Sequence, residues 1–163
     1  MPDLTARIAR AKELLATVRH GVIATVNQDG SPHNSPVFMA FDADHNAYWA
    51  SNPDAVHSQN IARTGQVFIV IFDSVGAGGG LYIKARAHQL APEELEPGLT
   101  AFNTKRQALL RESVPAGYFT GDRPQRLYRA EPEQFWVNMA QKDGAGHIVS
   151  DKRYQILSEE LGG

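Results

Sequence analysis

The groups in this sequence that could do chemistry are hydroxyls, imidazoles and scattered cations, because the chain contains no cysteine. That excludes disulfides, thiolate metal sites and cysteine nucleophiles. The six histidines, at positions 20, 33, 45, 57, 88 and 147, show no HExxH or comparable ligand spacing. They read as surface or structural groups, and no metal is expected. No GxSxG elbow is present, so the serines give a hydrolase no support. Gly76, Gly78, Gly79 and Gly80 could suggest a phosphate cradle, but such glycines must open a helix whose free N–H groups hold the anion. Here they precede a strand-like run and read as a hairpin loop. What remains is a constellation: DGSPHNSPVFMAF, then AYWASNPDAVHSQNI, and late in the chain FWVN and SDKR.

The elements that must position these residues follow from periodicity. Leu4, Ile8, Ala11, Leu14, Leu15 and Val18 recur at helical spacing with charged residues between them, an amphipathic helix covering something apolar. From Gly21 the period changes. GVIATVN is β-branched and is followed by the turn Gln28-Asp29-Gly30; SPVFMAF returns, and AYWAS makes a third strand after DADHN. Residues 54–63 read as a short helix capped by Asp54. QVFIVIFDS is a nearly continuous apolar run, expected to be the most buried strand, and LYIKARAHQL alternates as a half-buried one. Residues 92–112 are helical in character, with an interruption expected at Pro97-Gly98. RLYRAEP, EQFWVNM and HIVSDKRYQIL supply up to three further strands. Short strands at hairpin spacing with plugging helices suggest a mainly β, antiparallel barrel rather than a doubly wound sheet.

The bulk numbers agree. One domain, residues 1–163, is expected from the length; 42 % hydrophobic and 21 % charged residues are ordinary globular usage. A net charge of −2 argues against a general nucleic-acid binder. No apolar run approaches a membrane span and the N-terminus lacks a signal-peptide core, so a cytoplasmic protein with no membrane partner is expected.

The constellation resembles the pyridoxamine 5′-phosphate oxidase-like, FMN-binding split-barrel family from about Gly21 to Ile156. The resemblance rests on DGxPxxxP, a strand ending in a hydroxyl residue and a helix with an Asn-apolar pair at fixed spacing. It implies a six-stranded antiparallel split barrel with helices around it, and a homodimer holding two FMN molecules at its interface. Ser35 then falls where the oxidases carry an arginine near the flavin phosphate. Val37, Phe38 and Met39 match the strand whose backbone faces the isoalloxazine edge. Ser51 and Asn52 match the polar pair ending the third strand. His57 stands where the family often has a phosphate-binding lysine, with Ser58 and Asn60 beside it. Trp136 resembles the late tryptophan that reaches the flavin from the other subunit, and Arg153 an arginine of the last strand.

Replacing an arginine by Ser35 and a lysine by His57 makes the phosphate end less cationic, unless Arg63, Lys84 or Arg86 fills in. Protonated His57 would help hold the phosphate, so FMN affinity is expected to fall as pH rises through the bound-state pKa. Where the true oxidases have an Arg-x-His pair this chain has Val149 and Asp151, which argues against the vitamin-B6 reaction. The resemblance therefore implies an FMN-dependent oxidoreductase acting on a small organic substrate, with NAD(P)H as a candidate donor. The alternatives are a non-enzymatic flavin-binding sensor, or a barrel holding a deazaflavin or haem. No catalytic acid or base emerges; Tyr82, His33 and His88 read as structural.

Overall fold

A computed structural model gives the structure of this protein and describes residues 3–75 and 78–162. Gly76, one of the loop glycines, lies outside them. The chain runs α1 (Leu4–Thr17), β1 (His20–Val26), β2 (Pro32–Phe38), β3 (Ala40–Phe41), β4 (Ala47–Ser51), α2 (Val56–Thr64), β5 (Gln66–Phe72), β6 (Gly80–Gln89), α3 (Leu95–Ala108), β7 (Arg126–Lys142), β8 (Ile148–Ile156) and α4 (Ser158–Leu161). The strands form one antiparallel sheet in the order β2-β1-β5-β6-β7-β4-β3, with β8 paired to β7. The mainly β, antiparallel expectation holds. The strand count is eight rather than six, and the SPVFMAF run is divided between β2 and β3.

Local chemistry explains most boundaries. Asp3 caps α1 by accepting the Ala6 N–H at 2.7 Å, and Ala11, Leu14 and Leu15 bury its apolar stripe. Gly30, at φ 85°, closes the β1–β2 hairpin. That conformation is free for glycine and strained for other residues. The returning strand ends at Phe38; the Met39 N–H extends the β1–β2 register by one bond, to the Arg19 carbonyl, before the chain turns into β3. The 47–51 strand begins after a turn in which the Asp42 carboxylate accepts from the Asn46 N–H and the Tyr48 hydroxyl, both at 2.9 Å.

Four expectations change. Asp54 does not cap α2; its N–H donates to Asn52 Oδ1 at 2.9 Å, and the cap position is Ala55, with no side-chain hydrogen bond. Residues 95–108 form an unbroken helix across Pro97-Gly98. Pro97 stands in its first turn, where a missing N–H costs nothing. A Cβ on Gly98 would lie 2.5 Å from Leu90 Cδ1, so glycine is there for packing. RLYRAEP and EQFWVNM are one strand, β7, carried past Pro132 by a bulge: Ala85 pairs with Pro132 and Lys84 with Gln134, leaving Glu133 extra. Finally, β5 is buried on one face only. Val67, Ile69 and Ile71 enter the core, whereas Phe68 and Val70 are half-buried and Phe72 is 49 % exposed.

The main core gathers Ile23, Met39, Trp49, Ile61, Ile69, Ile71, Ile83, Phe135 and Val137 inside the curled sheet under α1 and α2. A second cluster packs α3 against Tyr48 and Leu127, with Phe102 and Phe119 at its centre. A fully buried side chain of this size contributes roughly 1.5–3 kcal/mol, so these layers fix the frame on which β2, β4 and α2 meet.

Candidate cofactor site

Residues directly opposite each other in an antiparallel pair point to the same face. The pairs Thr25–His33, Ile23–Ser35 and Gly21–Val37 therefore turn His33, Ser35 and Val37 toward the inner side, where Thr25 and Ile23 are buried. The end of β4 supplies Ser51 on this side, and α2 supplies His57. Ser51 Oγ and His57 Nε2 share a buried hydrogen bond of 2.5 Å. His33 Nε2 and Ser35 Oγ share another of 3.1 Å. Burial holds the His57 pKa below its ordinary value, and the positive charge His33 can carry lowers it further. His57 is thus neutral at neutral pH in the ligand-free protein.

Beside this cluster α2 begins without a side-chain cap. The first N–H groups of a helix have no partner within the helix, and the positive end of the helix dipole favours an anion there. Arg126 completes the setting. It pairs with Ser51 across β4 and β7 and so shares its face. Its guanidinium is anchored on the carbonyls of Gly121, Arg123 and Gln125, at 2.8, 2.6 and 2.8 Å, and no carboxylate pairs with it among the described residues. The sequence reading missed Arg126, since only the β4–β7 register brings it to Ser51.

The remaining candidates divide. Met39 is 1 % exposed against Gly21 and Ile71, and its N–H is committed to Arg19. Phe38 leaves the inner row for the second cluster, edge-on to Phe102 at 5.4 Å. Asn52 spends its carboxamide oxygen on the turn into α2. Asn60 ties α2 to β1, donating to Thr25 Oγ1 at 3.0 Å and Asn27 Oδ1 at 2.9 Å. Ser58 faces away from His57, toward Tyr128.

Trp136 and Arg153 are elsewhere. The pairings Pro36–Val22–Val70–Tyr82–Trp136 cross the sheet on its outer face. There the Arg153 guanidinium stacks on Tyr82 at 3.7 Å, and Phe68 lies 6.0 Å from Trp136. Asp151, on the same strand as Arg153, accepts from Asn138 Nδ2 at 2.9 Å. Arg63, Lys84 and Arg86 have partners of their own: Arg63 donates to the Val26 carbonyl, and the other two pair with the bulged Glu133, at 3.2 and 3.5 Å. Among the described residues, no group of three or more His, Asp or Glu could hold a metal, and no helix is long and apolar enough to cross a membrane.

Residues 8–138 match the pyridoxamine 5′-phosphate oxidase family. The chain belongs to that family. No curated protein matches it. Among solved structures, it is similar to a heme binding protein from Mycobacterium smegmatis, at 17 % identity and TM-score 0.67, covering 99 % of this chain and 60 % of that one. It is also similar to Atu2129 from Agrobacterium tumefaciens, a protein of unknown function, at 19 % identity and TM-score 0.64, covering 80 % and 55 % of the two chains. It is similar, too, to an F420 reductase, at 18 % identity and TM-score 0.57, covering 76 % and 94 % of the two chains. The chain thus spans little more than half the length of the first two of these structures. At these identities the likeness establishes the fold.

Proposed function

We propose that this chain is an FMN-binding flavoprotein that acts as an oxidoreductase on a small organic substrate. The observation that carries the reading is the uncapped start of α2 beside the Ser51–His57 pair. Free helix amides, two serine hydroxyls, imidazoles and the carbonyl-anchored Arg126 suit a phosphate monoester. Val37 and its neighbours on β2 offer an apolar wall next to that end, for the isoalloxazine. FMN, when bound, supplies hydride and electron transfer, and the protein supplies binding, orientation and electrostatics. Ser51 orients the His57 ring, so that an imidazole N–H or a captured proton meets the phosphate. Because His57 starts neutral, a phosphate dianion that charges it takes up a proton on binding.

Trp136 and Arg153 would enter as residues of a second copy. Their outer face, with the half-buried Phe68 and Val70, is the apolar surface a homodimer would cover. Asp151 beside Arg153 disfavours a phosphorylated substrate there, which supports a reaction other than pyridoxine phosphate oxidation. Efficient oxidation of pyridoxine phosphate by the purified protein would contradict this.

The absorption spectrum of the purified protein is the first test. A flavin spectrum, with FMN released on denaturation, supports the reading; an apoprotein that fails to bind added FMN refutes it. Anaerobic reduction by NADH or NADPH, then reoxidation by a candidate acceptor, separates an enzyme from a flavin-binding sensor. The neighbours named for heme binding and for F420 favour a second reading, the same fold loaded with haem or a deazaflavin. A Soret band or a deazaflavin spectrum would identify it.

A further inference from the structure

The opposite flank of α2 holds a second cleft. It has a volume of about 460 Å³ and lies between α2, the end of β6 and β7, lined by Pro53, Ser58, Ile61, Ala87, Gln89 and Tyr128 among others. Ser58 follows His57 by one residue, which on a helix is a rotation of roughly 100°. His57 consequently turns toward β2 and β4 while Ser58 turns into this cleft. Ser58 is 1 % exposed, yet its hydroxyl has no hydrogen-bond partner among the described residues. A buried hydroxyl without a partner costs stability, and native structures rarely keep one without a reason. Tyr128 is 3 % exposed and stacks on Trp49, with ring centroids 5.7 Å apart and planes 13° apart. Its phenol comes close enough to Ser58 to feel the hydroxyl dipole, without the geometry of a hydrogen bond.

We infer that this cleft is a binding site for a small neutral molecule with an apolar body and one carbonyl or hydroxyl oxygen, the oxygen seated on Ser58 Oγ and the Tyr128 phenol. The volume lies in the range of small-ligand pockets, which combine an apolar lining with a few placed polar groups. Ile61, Ala62, Ala87 and Pro53 form the apolar wall. Neutrality follows from the charges at the rim, which are already committed. His88 and Arg129 both reach Glu94, at 3.1 and 3.6 Å, and Arg63 donates to the Val26 carbonyl on the other side of α2. Asp54 and Arg126 act on the Tyr128 phenol with opposite signs, so the cleft presents no net charge to match an ionic ligand. Ser51, His57 and Arg126 do not line this cleft.

Acetophenone, a neutral aromatic ketone of this shape, is the probe. It is titrated into the protein carrying its natural cofactor, with backbone amide shifts and calorimetry as readouts. Saturable binding that shifts the amides of Ser58, Ala62 and Ala87 is expected. Ser58→Ala and Tyr128→Phe should each weaken it about 3- to 10-fold, the size of one hydrogen bond. Ser58→Ala should at the same time raise the thermal midpoint of the probe-free protein, since it removes an unpaired buried hydroxyl. Absence of saturation up to about 10 mM, the weak end for a ligand of this size, overturns the inference. So do shifts confined to other regions, or affinities unchanged in both variants. Because Tyr128→Phe leaves Ser58 in place, a Ser58 variant that failed to fold would not remove the test.

Discussion

The pocket beside α2 and the aromatic shelf on the outer face both carry residues matched to flavin binding, but they are built in opposite ways. The first is inward and polar: Ser51 and His57 are buried and bonded to each other, beside an uncapped helix start and one arginine anchored on carbonyls. The shelf is outward, broad and apolar, with Phe68, Tyr82 and Trp136 clustered and Arg153 lying flat on an aromatic ring. A single chain brings the residues of the first together and leaves those of the second on its surface. In the proposed reading, anion recognition would be a local affair of one strand end and one helix start. Coverage of a flavin ring would need another surface.

The strongest way to break this contrast is to charge the shelf. Val70→Asp places a carboxylate where the proposed dimer would bury it unpaired, at a cost of about 3–5 kcal/mol, or roughly a hundredfold or more in dimer affinity. Light scattering should show monomers, and flavin content should fall with them. A dimer that survives Val70→Asp removes this face from the interface.

An intermediate effect should come from closing the anion end. Ala55→Asp adds a carboxylate at the uncapped start of α2. Helix capping is worth about 0.5–2 kcal/mol, so the thermal midpoint should rise. The same carboxylate occupies the amides and repels phosphate, so FMN affinity should drop at least tenfold. Stabilisation without loss of affinity would place the phosphate elsewhere.

The pH dependence should be smaller and follow His57. Burial, then His33, lowers the His57 pKa in the folded chain. As pH falls below about 6.5, the reference value for the unfolded chain, the unfolded state takes up a proton that the folded state resists. His57 therefore contributes stability that is present above that pH and lost as pH falls toward the folded pKa. His57→Gln should flatten the acid limb of a plot of thermal midpoint against pH. Ligand binding runs the other way: FMN affinity should fall as pH rises through the bound-state pKa, with proton uptake visible as a buffer-dependent calorimetric enthalpy. A flat dissociation constant from about pH 6 to 9, around the reference pKa, would sink the role of His57.

The smallest effect belongs to the rim of the outer face. Glu133→Gln releases Lys84 and Arg86, both more than half exposed. Exposed pairs contribute about 0–1 kcal/mol, so chemical denaturation should barely change. A larger loss would mean that the bulge itself needs the carboxylate.

How much of this was legible in the sequence varied by element. The alternation in LYIKARAHQL gave β6 its inner and outer faces, and the turn residues gave the β1–β2 hairpin. The Ser51–His57 partnership was half legible: both residues were candidates, but as separate ligands rather than a bonded pair. Arg126 was not legible, because its approach to Ser51 depends on a register between strands far apart in the chain. The β5 run was misread for a related reason. An apolar residue facing an uncovered surface looks, in sequence, like one facing a core.

By itself the sequence determined the family, the antiparallel strands and the absence of thiol chemistry, because hairpin turns, periodicity and composition are local properties of the chain. The tertiary structure decided which hydroxyl meets which imidazole, that α2 starts uncapped, and that His57 and Ser58 face different clefts. Those depend on strand register and helix rotation, where one residue, or roughly 100° about an axis, moves a side chain to another surface.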